Sequence, residues 1–217
     1  LLGPEINGEA AGNLSGCSVS LSSDGFTLAI GARRNVNSGG FINICSGHVR
    51  VYTYDASGNI WAQVGQDING ESIGDKSGMS VSLSDNGSIV AIGAFRNEGN
   101  GNQAGHVRIY ENIGGSWSQI GNDIDGEAAN DYSGWSVSLS SDGNTVAIGA
   151  PYNDNANGGD AGHVRIYNYN GTSWNQLGND IDGEAADDWS GYSVSLSSDG
   201  NTVAIGAHNN DENGYES

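Results

Sequence analysis

The chain has 217 residues, with 36 Gly, 2 Pro and 2 Cys, and its 26 Asp+Glu against 7 Lys+Arg give a formal net charge of −19. That field repels nucleic acid and anionic membrane surfaces and attracts cations, and no apolar run approaches the roughly 20 residues of a membrane-spanning helix. Scarce Pro argues against a Pro-rich linker, whereas abundant Gly between regular apolar segments fits tight turns joining short strands.

The chain opens at Leu1, without Met or a signal peptide and in mid-repeat, which predicts a processed or excised piece of a longer protein. Residues 1–6 match the end of a fourth strand, as in Leu177 to Ile181. From there self-similarity sets the organisation. Ser-Val-Ser-Leu begins at Ser18, Ser80, Ser136 and Ser193, Gly-His-Val-Arg begins at Gly47, Gly105 and Gly162, and Trp61, Trp117 and Trp174 mark a third equivalent position. The period is about 57 residues and about 3.7 copies are present, giving units at about 14–67, 76–123 and 132–180 and a partial unit at 189–217, with 1–6 as a fourth-strand remnant.

Within the third copy the elements follow in order. Ser136 to Ser140 alternates small polar and aliphatic residues and reads as a strand. Asp142-Gly143 is a hairpin turn, and Thr145 to Ala150 is a second strand with Val146 and Ile148 on one face and Ala147 and Gly149 on the other. A face of Ala and Gly lets a neighbouring sheet approach closely. After an Asn/Asp/Gly loop, His163 to Tyr169 is the third strand; Asn170-Gly171 turns into Ser173 to Leu177, the fourth, and 179–190 connects to the next copy. A sheet of four such short strands cannot cover its own two faces. Stacking equivalent sheets around an axis shelters both, so the expected fold is all-β, a β-propeller of four-stranded antiparallel blades forming part of a larger ring. An open β-solenoid is the alternative, although its repeats are usually shorter.

The motifs resemble the FG-GAP repeat, the blade of integrin α-subunit heads and of secreted proteins of marine microbes. Gly149-Ala150-Pro151 matches the Gly-Ala-Pro half, with Gly31-Ala32, Gly93-Ala94 and Gly206-Ala207 in the other copies, and Ser15-Gly16, Ser77-Gly78, Ser133-Gly134 and Ser190-Gly191 stand for the Phe-Gly half. The resemblance implies an extracellular adhesion or interaction module without catalysis. Many blades of that family hold calcium in a DxDxDG loop between the first two strands; here Ser141-Asp142-Gly143 or Ser84-Asp85-Asn86-Gly87 stands there, which makes a turn rather than an ion cage.

A second acidic pattern recurs in the connectors. Asp180, Asp182, Glu184 and Asp188 stand at relative positions 1, 3, 5 and 9; Asp123, Asp125, Glu127 and Asp131 repeat them, as do Asp67, Asn69, Glu71 and Asp75, and more weakly Glu5, Asn7, Glu9 and Asn13. Oxygen ligands at such spacing wrap Ca²⁺, although the Gly falls at position 4 rather than 6. The same residues also suit an Asx-rich turn with Glu paired to a repeat Arg, Arg165 to Glu184 or Glu127. His48, His106 and His163, with Arg50, Arg108 and Arg165, recur once per copy and read as packing residues, not a zinc site. Cys17 and Cys45, both in the first copy, are either a disulfide of a secreted protein or two small buried residues.

Non-repeated residues are better candidates for recognition. Leu14, Lys76, Tyr132 and Trp189 vary at one equivalent site and Cys17, Met79, Trp135 and Tyr192 at another; Arg33-Arg34-Asn35 and Phe41, Phe95-Arg96 and Pro151-Tyr152 follow the second strands. Aromatics in a row there would stack on sugar rings if exposed, or pack between blades if buried. No nucleophile elbow, phosphate loop or HExxH occurs. The expectation is a non-catalytic extracellular module, secreted or on the cell surface, meeting a protein or glycan or further blades. A glycan-binding module and a polysaccharide-active enzyme are the alternatives.

Overall fold

A computed structural model describes residues 2–35 and 45–211. It is all-β and forms a propeller arc of successive antiparallel blades. Blade 1 holds β1 (Ser15–Leu21), β2 (Thr27–Ala32), β3 (His48–Asp55), β4 (Ile60–Gln63) and β5 (Ile68–Asn69). Blade 2 holds β6 (Ser80–Leu83), β7 (Ile89–Ala94), β8 (His106–Ile113), β9 (Ser116–Gln119) and β10 (Ile124–Asp125). Blade 3 holds β11 (Ser136–Leu139), β12 (Thr145–Ala150), β13 (His163–Tyr169), β14 (Trp174–Gln176) and β15 (Ile181–Asp182), and β16 (Ser190–Leu196) with β17 (Val203–Ala207) begin blade 4. Each full blade is a meander of four strands, as in the order β11-β12-β13-β14.

The two-residue strand in each connector is an addition to the expected pattern. Both β14 and β15 pair with β13, through Tyr167↔Gln176 and Val164↔Ile181. The fourth strand is therefore interrupted rather than finished, and the first half of the connector stays tied to its own blade. Residues 2–13 approach blade 1 in the same way: Trp61 Nε1 donates to Leu2 O, as Trp117 Nε1 does to Val64 O and Trp174 Nε1 to Ile120 O.

The core lies between blades. One buried cluster joins Val49, Val51 and Ile68 of blade 1 to Val81, Leu83, Val90 and Ile92 of blade 2; a second joins Ala91, Val107 and Ile109 of blade 2 to Leu139, Val146 and Ile148 of blade 3. Alternate residues of β7 thus enter different clusters, as the period of two demands. On blade 1, Val19 and Leu21, the counterparts of Val81 and Leu83, are exposed.

The serines of Ser-Val-Ser-Leu face forward. Ser18 Oγ donates to Gly78 O, Ser80 Oγ to Gly134 O and Ser136 Oγ to Gly191 O, each at 2.8 Å. Ser20, Ser82 and Ser138 Oγ accept from the N–H of Leu83, Leu139 and Leu196, each at 2.9 Å. The first strand is an edge of its own sheet, where unpaired backbone groups are a liability, and the serines of the preceding blade satisfy them.

The thiols of Cys17 and Cys45 do not form a disulfide with one another. Cys17 is exposed at the start of β1, with Sγ near the carbonyls of Gly31 and Gly78, while Cys45 is buried ahead of β3, where its sulfur meets Lys76 Nζ at 2.9 Å.

A Cβ on Gly149 would collide with the Gly191 carbonyl oxygen of the next blade. Gly206 at the equivalent place meets only Ser193 of its own blade among the described residues. Gly149→Ala should therefore lower stability by about 1–3 kcal/mol, and Gly206→Ala by clearly less, in urea unfolding monitored by tryptophan fluorescence. Equal losses would show that contact within one blade, not between blades, sets the cost.

Candidate functional site

The connector acids divide among separate tasks rather than converging on one loop. Asp75, Asp131 and Asp188 are buried. Their Oδ2 atoms accept from the N–H of Ser72, Ala128 and Ala185 and from the side-chain amides of Asn97, Asn153 and Asn210, so they cap the turn. Asn69, Asp125 and Asp182 pair in register with His48, His106 and His163, their side chains exposed. Backbone oxygens of Asn7, Asn69 and Asp125 accept from Nη2 of Arg50, Arg108 and Arg165. Arg165 Nη1 lies 3.5 Å from Glu127, the expected pairing across a blade boundary; Glu184 is exposed and takes no part in it. The turn between first and second strands is an Asx turn: Asp142 Oδ1 accepts from Ser140 Oγ at 2.6 Å and Asn144 N at 2.9 Å, and the uncharged Asn86 does the same in blade 2.

The remaining acids meet the repeat histidines. Glu9, His48 and Asp67 gather in blade 1, Glu71, His106 and Asp123 in blade 2, and Glu127, His163 and Asp180 in blade 3. Each set joins a glutamate of the incoming connector to a third-strand imidazole and an aspartate of the outgoing connector. The span of a set, 52 to 58 residues from glutamate to aspartate, kept it out of reach of a local reading of the connector. The signal was available in another form, since Glu, His and Asp each recur once per period.

The non-repeated residues form one aromatic ladder. Tyr132 (φ 57) and Trp189 (φ 57) occupy the left-handed region, as do Leu14 (φ 54) and Lys76 (φ 61) in the other copies. A turn then sets the side chain three residues on beside the first: Trp135 N donates to Tyr132 O and Tyr192 N to Trp189 O, both at 3.1 Å. The rings of each pair stack at 6.5 and 6.4 Å. Residues following the second strands interleave with these pairs. Phe95 lies 5.2 Å from Trp135, Tyr152 lies 5.0 Å from both Tyr132 and Trp189, and His208 lies 4.6 Å from Tyr192. Trp135 and Tyr192, 5.4 Å apart, carry the run across the boundary of blades 3 and 4. Phe95 is buried, whereas Tyr132, Trp135, Tyr152, Trp189 and Tyr192 are half-buried, with ring surface left for solvent. Toward blade 1 the ladder gives way to Arg33, whose Nη1 meets Met79 Sδ, and to Arg96 over the Phe95 ring. A groove of about 570 Å³ opens there, lined by Arg33, Arg96, Asn130, Tyr132, Trp135, Tyr152 and Asp160 with Phe95 as its floor. Phe41 lies outside the described residues.

The FG-GAP repeat family model matches residues 124–167 and 181–217, which hold most of blade 3, without β14, and the start of blade 4. Over those two segments the chain carries FG-GAP repeats. No curated protein matches it at a significant level. Among solved structures, a protein of Bacteroides uniformis provisionally assigned as a 6-phosphogluconolactonase is 12% identical with a TM-score of 0.54, over 88% of this chain and 47% of that one. A protein of Bacteroides fragilis with the same provisional assignment is 12% identical with a TM-score of 0.51, over 86% and 40%. At that identity the likeness shows the propeller fold, and the chain spans under half the length of either structure.

The blades bury their imidazoles. Burial, with Arg108 or Arg165 nearby, pushes His106 and His163 down to about 4, and burial also lowers His48. An unfolded chain binds those protons near the ordinary value of about 6.5. It therefore binds more protons than the folded chain below that pH, and stability falls as pH drops. Glu71 and Glu127, held above the usual carboxylate range by burial, act with the opposite sign lower down and blunt the loss. In the presence of chelator, lowering pH from 7 to 5.5 should cost about 2 kcal/mol in urea unfolding, and His163→Gln should shrink that loss. A flat or rising profile would contradict the burial of neutral imidazoles.

Proposed function

We propose that the chain is a non-catalytic extracellular interaction module that holds its partner on the aromatic ladder, and that the partner is a carbohydrate. The observation that carries this reading is the half-buried run of Trp135, Tyr152, Trp189 and Tyr192 laid against the buried Phe95, built at positions where otherwise alike repeats differ. A sugar ring offers an apolar C–H face and polar edges. The first suits a stack on Trp or Tyr; the second suits Arg33, Arg96, Asn130 and Asp160 around the groove. A groove of about 570 Å³ is within the range of small-ligand sites, roughly 300–1,000 Å³. The Glu–His–Asp sets recur in blade after blade beside the arginines that tie connector to sheet, which supports a structural rather than catalytic use of them. The charge of −19 fits a salt- and calcium-rich medium outside the cell.

Affinity electrophoresis through gels cast with neutral or acidic polysaccharides tests the reading. At least one polymer should retard the protein, and Trp135→Ala or Tyr152→Ala should weaken that retention roughly tenfold, about 1.4 kcal/mol, with little change in the unfolding midpoint. Retention by no polymer, or retention indifferent to both variants, would remove carbohydrate as the partner. Release of new chain ends from a retained polymer would instead make the module an enzyme.

A further inference from the structure

We propose that each full blade is built to hold one divalent transition-metal ion, of the Zn²⁺ class, between the third-strand imidazole and one carboxylate from each flanking connector: Glu9, His48 and Asp67; Glu71, His106 and Asp123; Glu127, His163 and Asp180.

The ligand atoms of every set lie within 4.8 Å of one another. His48 and His106 are each 1% exposed, yet Nδ1 of both, and Nε2 of His106, has no hydrogen-bond partner among the described residues. A buried polar atom without a partner is costly, and here the same atom of the same repeat position is left open in two blades.

Distance separates an ion site from a hydrogen bond. Imidazole Nδ1 stands 3.7 Å from Asp67 Oδ2, 3.5 Å from Asp123 Oδ2 and 3.9 Å from Asp180 Oδ2, and 3.9 Å from Oε2 of Glu9 and of Glu127. Hydrogen bonds of this type are about 2.7–3.2 Å. Two ligands each about 2.0–2.1 Å from one tetrahedral ion stand roughly 3.4 Å apart, so a small contraction closes the set around a metal.

The second oxygen of each carboxylate is already anchored. Oδ1 of Asp67, Asp123 and Asp180 accepts from the amides of Gln63, Gln119 and Gln176, at 2.6–2.7 Å. Oε1 of Glu9, Glu71 and Glu127 lies 3.3–3.7 Å from Nη1 of Arg50, Arg108 and Arg165. One oxygen is held by a neighbour and the other is turned toward the imidazole, which is how outer partners orient metal ligands; in blade 1 Glu9 Oε2 also accepts from Asn35 Nδ2 at 2.8 Å. The carboxylates are partly exposed, and in blade 2 Glu71 and Asp123 border a groove of about 350 Å³ that gives an ion a way in. His106 and His163 are neutral at pH 7, so no proton has to leave an imidazolium before it ligates. One imidazole nitrogen with two carboxylates suits Zn²⁺, Co²⁺ or Mn²⁺, with water completing the shell; Ca²⁺ takes 6–8 oxygens. The sites are distinct from the aromatic ladder and do not depend on the carbohydrate reading.

Calorimetric titration of the chelator-stripped full chain with Zn²⁺ tests the proposal, with Co²⁺ absorption and histidine NMR reporting the ligands. Saturable binding of up to three ions below about 10 μM is expected, with the imidazole resonances of the third-strand histidines shifting. Asp123→Asn with Glu71→Gln, both on partly exposed side chains, should remove one ion and leave the circular dichroism unchanged. No saturable Zn²⁺ binding, an ion count indifferent to that double variant, or Ca²⁺ bound in preference with the imidazoles unmoved would each overturn it.

Discussion

The close approach of successive first strands governs this fold. Each is the edge of its own sheet, and an edge in water exposes unpaired N–H and C=O groups. The hydroxyls of Ser18, Ser20 and their counterparts meet those groups on the next blade. This works only at short range, so Gly31, Gly93 and Gly149 must lack a side chain where the next blade's carbonyl arrives. The same proximity brings Val81 and Leu83 onto Val49 and Val51, and the core forms between units rather than within them. The polar alternation of Ser-Val-Ser-Leu is therefore a two-sided joint. Its hydroxyls face forward and its aliphatic groups face back.

Much of this could be read from the chain. Ser136 to Ser140 was expected as a strand and Ser136–Leu139 forms one; Thr145–Ala150 and His163–Tyr169 agree residue for residue. These segments alternate with the strand period of two, as Val146 and Ile148 do with Ala147 and Gly149, and that pattern is visible in the chain directly. The fourth strand, expected over 173–177, covers Trp174–Gln176 and then resumes at Ile181–Asp182. Two strand residues set among Asn, Asp and Gly lack a periodic signal of their own. Only the partner strand reveals them.

The site was legible in its parts but not in its assembly. The connector acids were visible as a spaced series and the histidines as a periodic mark, yet linear spacing ranked the acids as one loop. In three dimensions position 9 caps its own turn, while position 1 of one connector faces position 5 of the connector before it across a buried imidazole. Proximity there comes from stacked repeats, and no pattern within a single repeat encodes it. The aromatic ladder was easier, because departures from a repeat are visible at once. Its half-burial was not, since that depends on how the rings of blades 2, 3 and 4 shade one another.

The backbone at Leu14, Lys76, Tyr132 and Trp189 is left-handed whichever side chain is present. Four chemically unlike residues are tolerated, so the turn and not the side chain fixes that geometry. The scaffold therefore offers a socket whose occupant can be exchanged without renegotiating the fold. A library randomised at this place and three residues further on would sample new specificities on an unchanged frame, in the way that hypervariable loops diversify an antibody.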